Sequence, residues 1–120
     1  MADKKYTDAI NTYEQGIRAA MLLARAHKMD TLGAEADPMM QKITEAAKAA
    51  GNSEAPFKVL NDVIAIYPDD KPANLQLAQL YLERKPPDYD TAADLEERAG
   101  APDDQVRKLR DMAKKQHHKG

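Results

Sequence analysis

The 120-residue chain has no cysteine and no tryptophan, a single phenylalanine, and no long apolar run. Without thiols it can form no disulfide, no thiolate zinc site and no cysteine nucleophile. Phe57 and five tyrosines offer little aromatic surface on which nucleic-acid bases could stack. The apolar stretch at residues 19–24 is far shorter than the ~20 residues that cross a bilayer. Asp3, Lys4 and Lys5 open a polar segment in place of an apolar leader. A cytoplasmic protein without membrane contact is therefore expected. Glycine-rich phosphate loops and a nucleophile elbow are also missing.

What is present is charge, 32 % of the residues, nearly balanced to a net −2. A whole-protein basic field for nucleic acid is excluded. The balance is uneven along the chain. Residues 88–104 are mostly acidic, and residues 107–119 are mostly basic through Arg107, Lys108, Arg110, Lys114, Lys115 and Lys119. Such a run usually forms a solvated helix face or tail. Asp69-Asp70 and Asp103-Asp104 each precede a helical pattern, so helix capping accounts for them. His27 stands alone near a helix end, and His117-His118 has no carboxylate spaced to close a metal site. No catalytic residue, no metal ligand and no cofactor is expected.

The apolar pattern has helical period throughout, with no β-alternation. Tyr6, Ile10, Tyr13, Ile17, Ala20, Met21 and Ala24 mark one stripe of a helix over about residues 6–28. Asp37 as cap and Pro38 in the first turn open a second helix, carrying Met39, Met40, Ile43, Ala46, Ala47 and Ala50 and closed by Gly51. Ser53 is the expected cap of a third helix, with Phe57, Leu60, Val63, Ile64 and Tyr67 as its stripe and Pro68 after it. Asp70 caps a fourth, apolar around much of its girth and so central. Pro86-Pro87 breaks it. A short fifth helix runs from about Asp90 to Gly100, and a basic sixth spans about residues 103–115. Residues 117–120 are expected to fray. The fold class predicted is all-α: a single domain over residues 1–116, built of about six helices in antiparallel hairpins.

Two helical hairpins, residues 37–70 and 71–104, repeat at nearly constant length. Met40, Ile43, Gly51, Leu60, Val63 and Pro68 in the first unit, and Leu77, Ala78, Tyr81, Tyr89, Ala92 and Ala99 in the second, fall where tetratricopeptide repeats place their packing residues, inter-helix glycine and closing proline. The chain resembles that family over a little more than half its length. It departs at Pro56, at Asn74 in place of a large aromatic, at Glu96 in a normally apolar position, and at Asp104 in place of the closing proline. The resemblance implies a small adaptor or chaperone-like protein. Its groove, between the first helices of the two repeats, would hold a protein or peptide through Gln41, Glu45, Lys48, Leu75, Gln79, Leu82 and Glu83. Gln and Lys there would bond a peptide backbone or carboxylate, and the leucines would take an apolar anchor or pack inward.

Residues 91–109 also resemble a helix-turn-helix DNA reader. Leu95, Ala99, Gly100, Val106 and Leu109 fall at its buried and turn positions, and Gln105, Arg107, Lys108 and Arg110 would face the groove. Glu96 occupies the place of a small buried alanine, and Asp103 and Asp104 would confront phosphate. Nucleic acid is therefore the second-ranked partner. A homodimer through Tyr13, Ile17, Met21 and Ala24 of the first helix is a third possibility.

Overall fold

The computed structural model describes residues 4–51 and 54–118. Among the described residues six helices follow one another: α1 (Lys4–Ala26), α2 (Ala36–Ala50), α3 (Glu54–Ile66), α4 (Lys71–Leu82), α5 (Tyr89–Arg98) and α6 (Asp103–His118). Among the described residues there is no strand, and the fold class is all-α. Each helix packs on the next; α1 also packs on α3, and α2 on α4. The result is a slab of 44 × 39 × 18 Å. No described helix is long and apolar enough to cross a membrane.

The expected stripes form the core. Ile10, Ile17, Ala20 and Ala24 of α1 meet Met40, Ile43 and Ala47 of α2 and Val59, Leu60 and Val63 of α3. Tyr13 and Met21 pack against the same cluster, so the stripe proposed as a dimer seam is spent inside the monomer. Leu77, Ala78 and Leu80 continue the core through α4 into Ala92, Ala93 and Leu95 of α5. As expected for a helix apolar on several sides, α4 is central, touching α2, α3 and α5.

Gly16 has a packing reason. A Cβ at this point would overlap Met39 Sδ of α2, so the missing side chain allows the two helices to close up. Gly16→Leu should cost about 1–3 kcal/mol by overpacking. Gly16→Ala should lie near neutral, because the pliable Met39 can yield and alanine gains ~1 kcal/mol of helix propensity. Urea denaturation of the two variants checks this.

The helix ends differ from expectation in three places. Helix α1 stops at Ala26, short of residue 28, because Lys28 turns left-handed at φ 54°. The Met29 N–H then reaches back to the Ala24 carbonyl at 2.9 Å, closing the helix as a glycine usually does. Helix α2 begins one residue before the predicted cap. The Ala36 and Asp37 N–H groups are satisfied by the carbonyls of Gly33 and Ala34 in the preceding turn, so Asp37 lies in the first turn and caps nothing. Helix α6 runs past residue 115 and takes in His117. Gln116 Nε2 donates to the Pro87 carbonyl at 2.9 Å and His117 Nε2 meets Asp90 Oδ2 at 2.7 Å, tying the last turns down. Ser53, expected as the α3 cap, and Lys119 and Gly120 lie outside the described residues.

Other ends match the prediction. Gly51 closes α2 at φ 70°, Asp70 caps α4, and Pro86-Pro87 separates α4 from α5. Helix α5 is capped by Asp88, whose carboxylate accepts from the Thr91 N–H and hydroxyl. The departures from the repeat pattern also have local roles. Asn74 is wholly buried and donates from Nδ2 to the carbonyls of Pro68 and Asp70, both at 2.9 Å, fastening the α3–α4 turn.

Candidate functional site

A cleft of about 370 Å³ opens between α2 and α4. Helix α2 contributes Gln41, Thr44, Glu45 and Lys48, spaced three and four apart and so on one face. Helix α4 contributes Leu75, Gln76 and Gln79, with Glu83 at its C-cap, and α5 supplies Glu96. Of the groove residues expected from the sequence, the structure brings together Gln41, Glu45, Lys48, Leu75, Gln79 and Glu83. Leu82 is not among the lining residues. It is half-buried and packs against the core, which is the inward role the apolar girth of α4 allowed.

The rim is polar and ordered by its own bonds. On α2, Gln41 Nε2 donates to Glu45 Oε1 at 3.3 Å; on α4, Gln79 Nε2 donates to Glu83 Oε1 at 3.1 Å. The two helices thus present the same Gln-x-x-x-Glu arrangement. Lys48 Nζ bridges the helices to Glu83 Oε1 at 3.3 Å. That contact is solvated on the lysine side and so worth at most ~1 kcal/mol, but it decides where the only ammonium of the lining points.

Thr44, Gln76 and Glu96 were not foreseen. Thr44 is buried and its hydroxyl is used locally, donating to the Met40 carbonyl at 2.9 Å. Glu96 is different. It is only 8 % exposed. Its Oε1 accepts from Gln105 Nε2 of α6, while its buried Oε2 has no hydrogen-bond partner. The one signal in the sequence was its misfit to both resemblances.

A larger, open hollow of about 810 Å³ lies beside the α4–α5 turn, lined by Arg84 to Asp88 with Gln116 and His117. The polar ends of Gln116 and His117 are already engaged with Pro87 and Asp90. Among the described residues, no three His, Asp or Glu side chains converge to hold a metal ion.

Two of the four residues that the helix-turn-helix resemblance turns to the groove, Gln105 and Arg110, are engaged within the chain. Gln105 holds Glu96, Arg107 lies 4.0 Å from Asp104, and Arg110 is clamped between Asp94 at 3.1 Å and Glu97 at 2.8 Å. The Arg110 guanidinium is held above its ordinary pKa, first by the Glu97 hydrogen bond and then by Asp94. Leu95, Ala99, Val106 and Leu109 are buried as that motif expects, and Gly100 turns at φ 83°.

No family model, curated protein or solved structure matches the chain. The class that the fold and cleft define is a small all-α protein with a polar inter-helix groove.

Proposed function

We propose that this chain is a non-catalytic adaptor of tetratricopeptide-like build, binding a protein or peptide segment in the groove between α2 and α4. The observation that carries this reading is the convergence of Gln41, Glu45, Lys48, Leu75, Gln79 and Glu83, selected from repeat positions, on one cleft. The lining suits an extended peptide. Glutamine amides at a regular spacing bond a backbone, and the half-buried Leu75 offers an apolar contact. Neither a cofactor nor a metal is part of the reading, and the address proposed is cytoplasmic.

The test is affinity capture from the native cell, with nuclease present and absent, comparing the unaltered chain with Glu45→Lys and Gln79→Lys. Both positions are exposed, so the substitutions leave the core alone. A nuclease-resistant partner retained by the unaltered chain and reduced about tenfold or more by either variant is the expected result, in line with loss of a groove-centre contact. Undiminished capture by variants of normal circular dichroism would reject the groove. Loss of all captured protein on nuclease treatment would favour the α5–α6 pair and nucleic acid instead.

A further inference from the structure

Three carboxylates line the cleft, Glu45, Glu83 and Glu96, against one ammonium, Lys48. Lys48 is already turned to Glu83. A carboxylate ligand would therefore meet two formal negative charges in excess (three less one) and compete with Glu83 for the single cation.

Glu96 is the decisive group. An apolar residue is the cheapest occupant of a packed inter-helix position, and a buried charge is retained only at a cost. Here the cost is not fully offset inside the chain, because only Oε1 has a donor. Glu96 lines the cleft beside Lys48 and Gln76, and the amides of Gln41 and Gln79 there are bonded to Glu45 and Glu83.

We infer that the α2–α4 groove recognises a cationic side chain, the guanidinium or ammonium of an arginine or lysine in the partner, with Glu96 as the buried anionic anchor and Glu45 and Glu83 as its rim. The inference rests on the groove reading and specifies the partner. A guanidinium complements this lining: its N–H groups face the rim carboxylates Glu45 and Glu83, and its charge is opposite to that of Glu96 in the wall. Entry of the cation releases Lys48 from Glu83 to solvent, where the 71 % exposed lysine side chain already largely resides. The glutamine amides then border the peptide backbone, and Leu75 the aliphatic stem of the guest.

The experiment uses the full chain, isotope-labelled, titrated with N-acetyl-arginine amide, N-acetyl-lysine amide, N-acetyl-norleucine amide and N-acetyl-glutamate amide, following the backbone and glutamine side-chain amides by NMR. Saturable shifts centred on Gln41, Gln79 and Glu96 are expected for the arginine and lysine probes only. Glu96→Gln keeps the oxygen that Gln105 bonds and should weaken the arginine probe about tenfold or more. Lys48→Ala, an exposed change that also guards against a folding defect in the first variant, should strengthen it about two- to fivefold. Saturation by the glutamate or norleucine probe instead, with Lys48→Ala weakening the glutamate probe, would overturn the cation assignment and leave the groove standing. Arginine binding unchanged in Glu96→Gln, or no saturable shift at the cleft with any probe, would also overturn it. The groove itself falls only if the capture experiment fails.

Discussion

Leu77→Ala is expected to lower the unfolding free energy by about 2–5 kcal/mol, the range for emptying a fully packed leucine site. Leu77 is 1 % exposed, at the centre of the helix that touches three others. Leu77 belongs to the buried cluster that runs from α1 through α4 to α6, so its truncation leaves a cavity in that core. Such a loss is a large share of the ~5–15 kcal/mol that holds a domain of this kind together. A fall in melting temperature of roughly 10 °C or more should follow. Leu75→Ala, two residues away at the cleft, is the matched control. It is half-exposed and should cost less than ~1.5 kcal/mol while weakening partner capture. Thermal and urea denaturation of the pair separates core from groove on a single helix. Equal destabilisation would mean that Leu75 is a core residue and remove it from the site.

The second large effect is at Asp70. Its side chain is 1 % exposed and used at both oxygens. Oδ2 accepts the Ala73 N–H at 3.2 Å, capping α4, and Oδ1 accepts the Leu32 N–H at 3.0 Å, fixing the α1–α2 loop. Asp70→Ala removes a cap, worth ~0.5–2 kcal/mol. It also strands a buried N–H, worth a further ~1–3 kcal/mol. Denaturation should register a total near 2–4 kcal/mol. Asp70→Asn, which keeps one acceptor, should fall between the variant and the unaltered chain. A cost below ~1 kcal/mol for the alanine variant would show that the loop is held by other contacts. The same carboxylate acts on its neighbour. The Asp37 carboxyl is held above the usual carboxylate range, first by partial burial and then by the charges of Asp70 and Glu35. Folding therefore favours the proton on Asp37. That contribution is complete below the ordinary carboxylate pKa and is lost as pH rises through the raised value. Asp70→Asn should bring the Asp37 titration back toward normal, read by carboxyl NMR shifts.

How far the sequence led can be judged from these residues. The stripe of α1, the central place of α4, the Asp70 cap and the Gly51 terminus follow from period and turn chemistry, which act between neighbours a few residues apart. The expectation that Gln41, Glu45, Gln79 and Glu83 share a groove came from the resemblance to tetratricopeptide repeats, and period alone does not give it. Helix α1 ends before the residue that its period suggests because Lys28 adopts a conformation usual for glycine. Helix α6 extends beyond its apolar pattern because Gln116 and His117 find partners across the fold, at Pro87 and Asp90.

Helical period and helix punctuation were thus sufficient for the fold class and for the six described helices, since these depend on side chains one turn apart. Only the tertiary structure decided that Asp70 serves two elements at once, that Leu82 turns inward, that Lys48 is spent on Glu83, and that Glu96 sits buried with one oxygen unmet at the cleft wall. Each of these is a property of groups brought together from distant parts of the chain, where packing and the removal of water, not local propensity, set the energy.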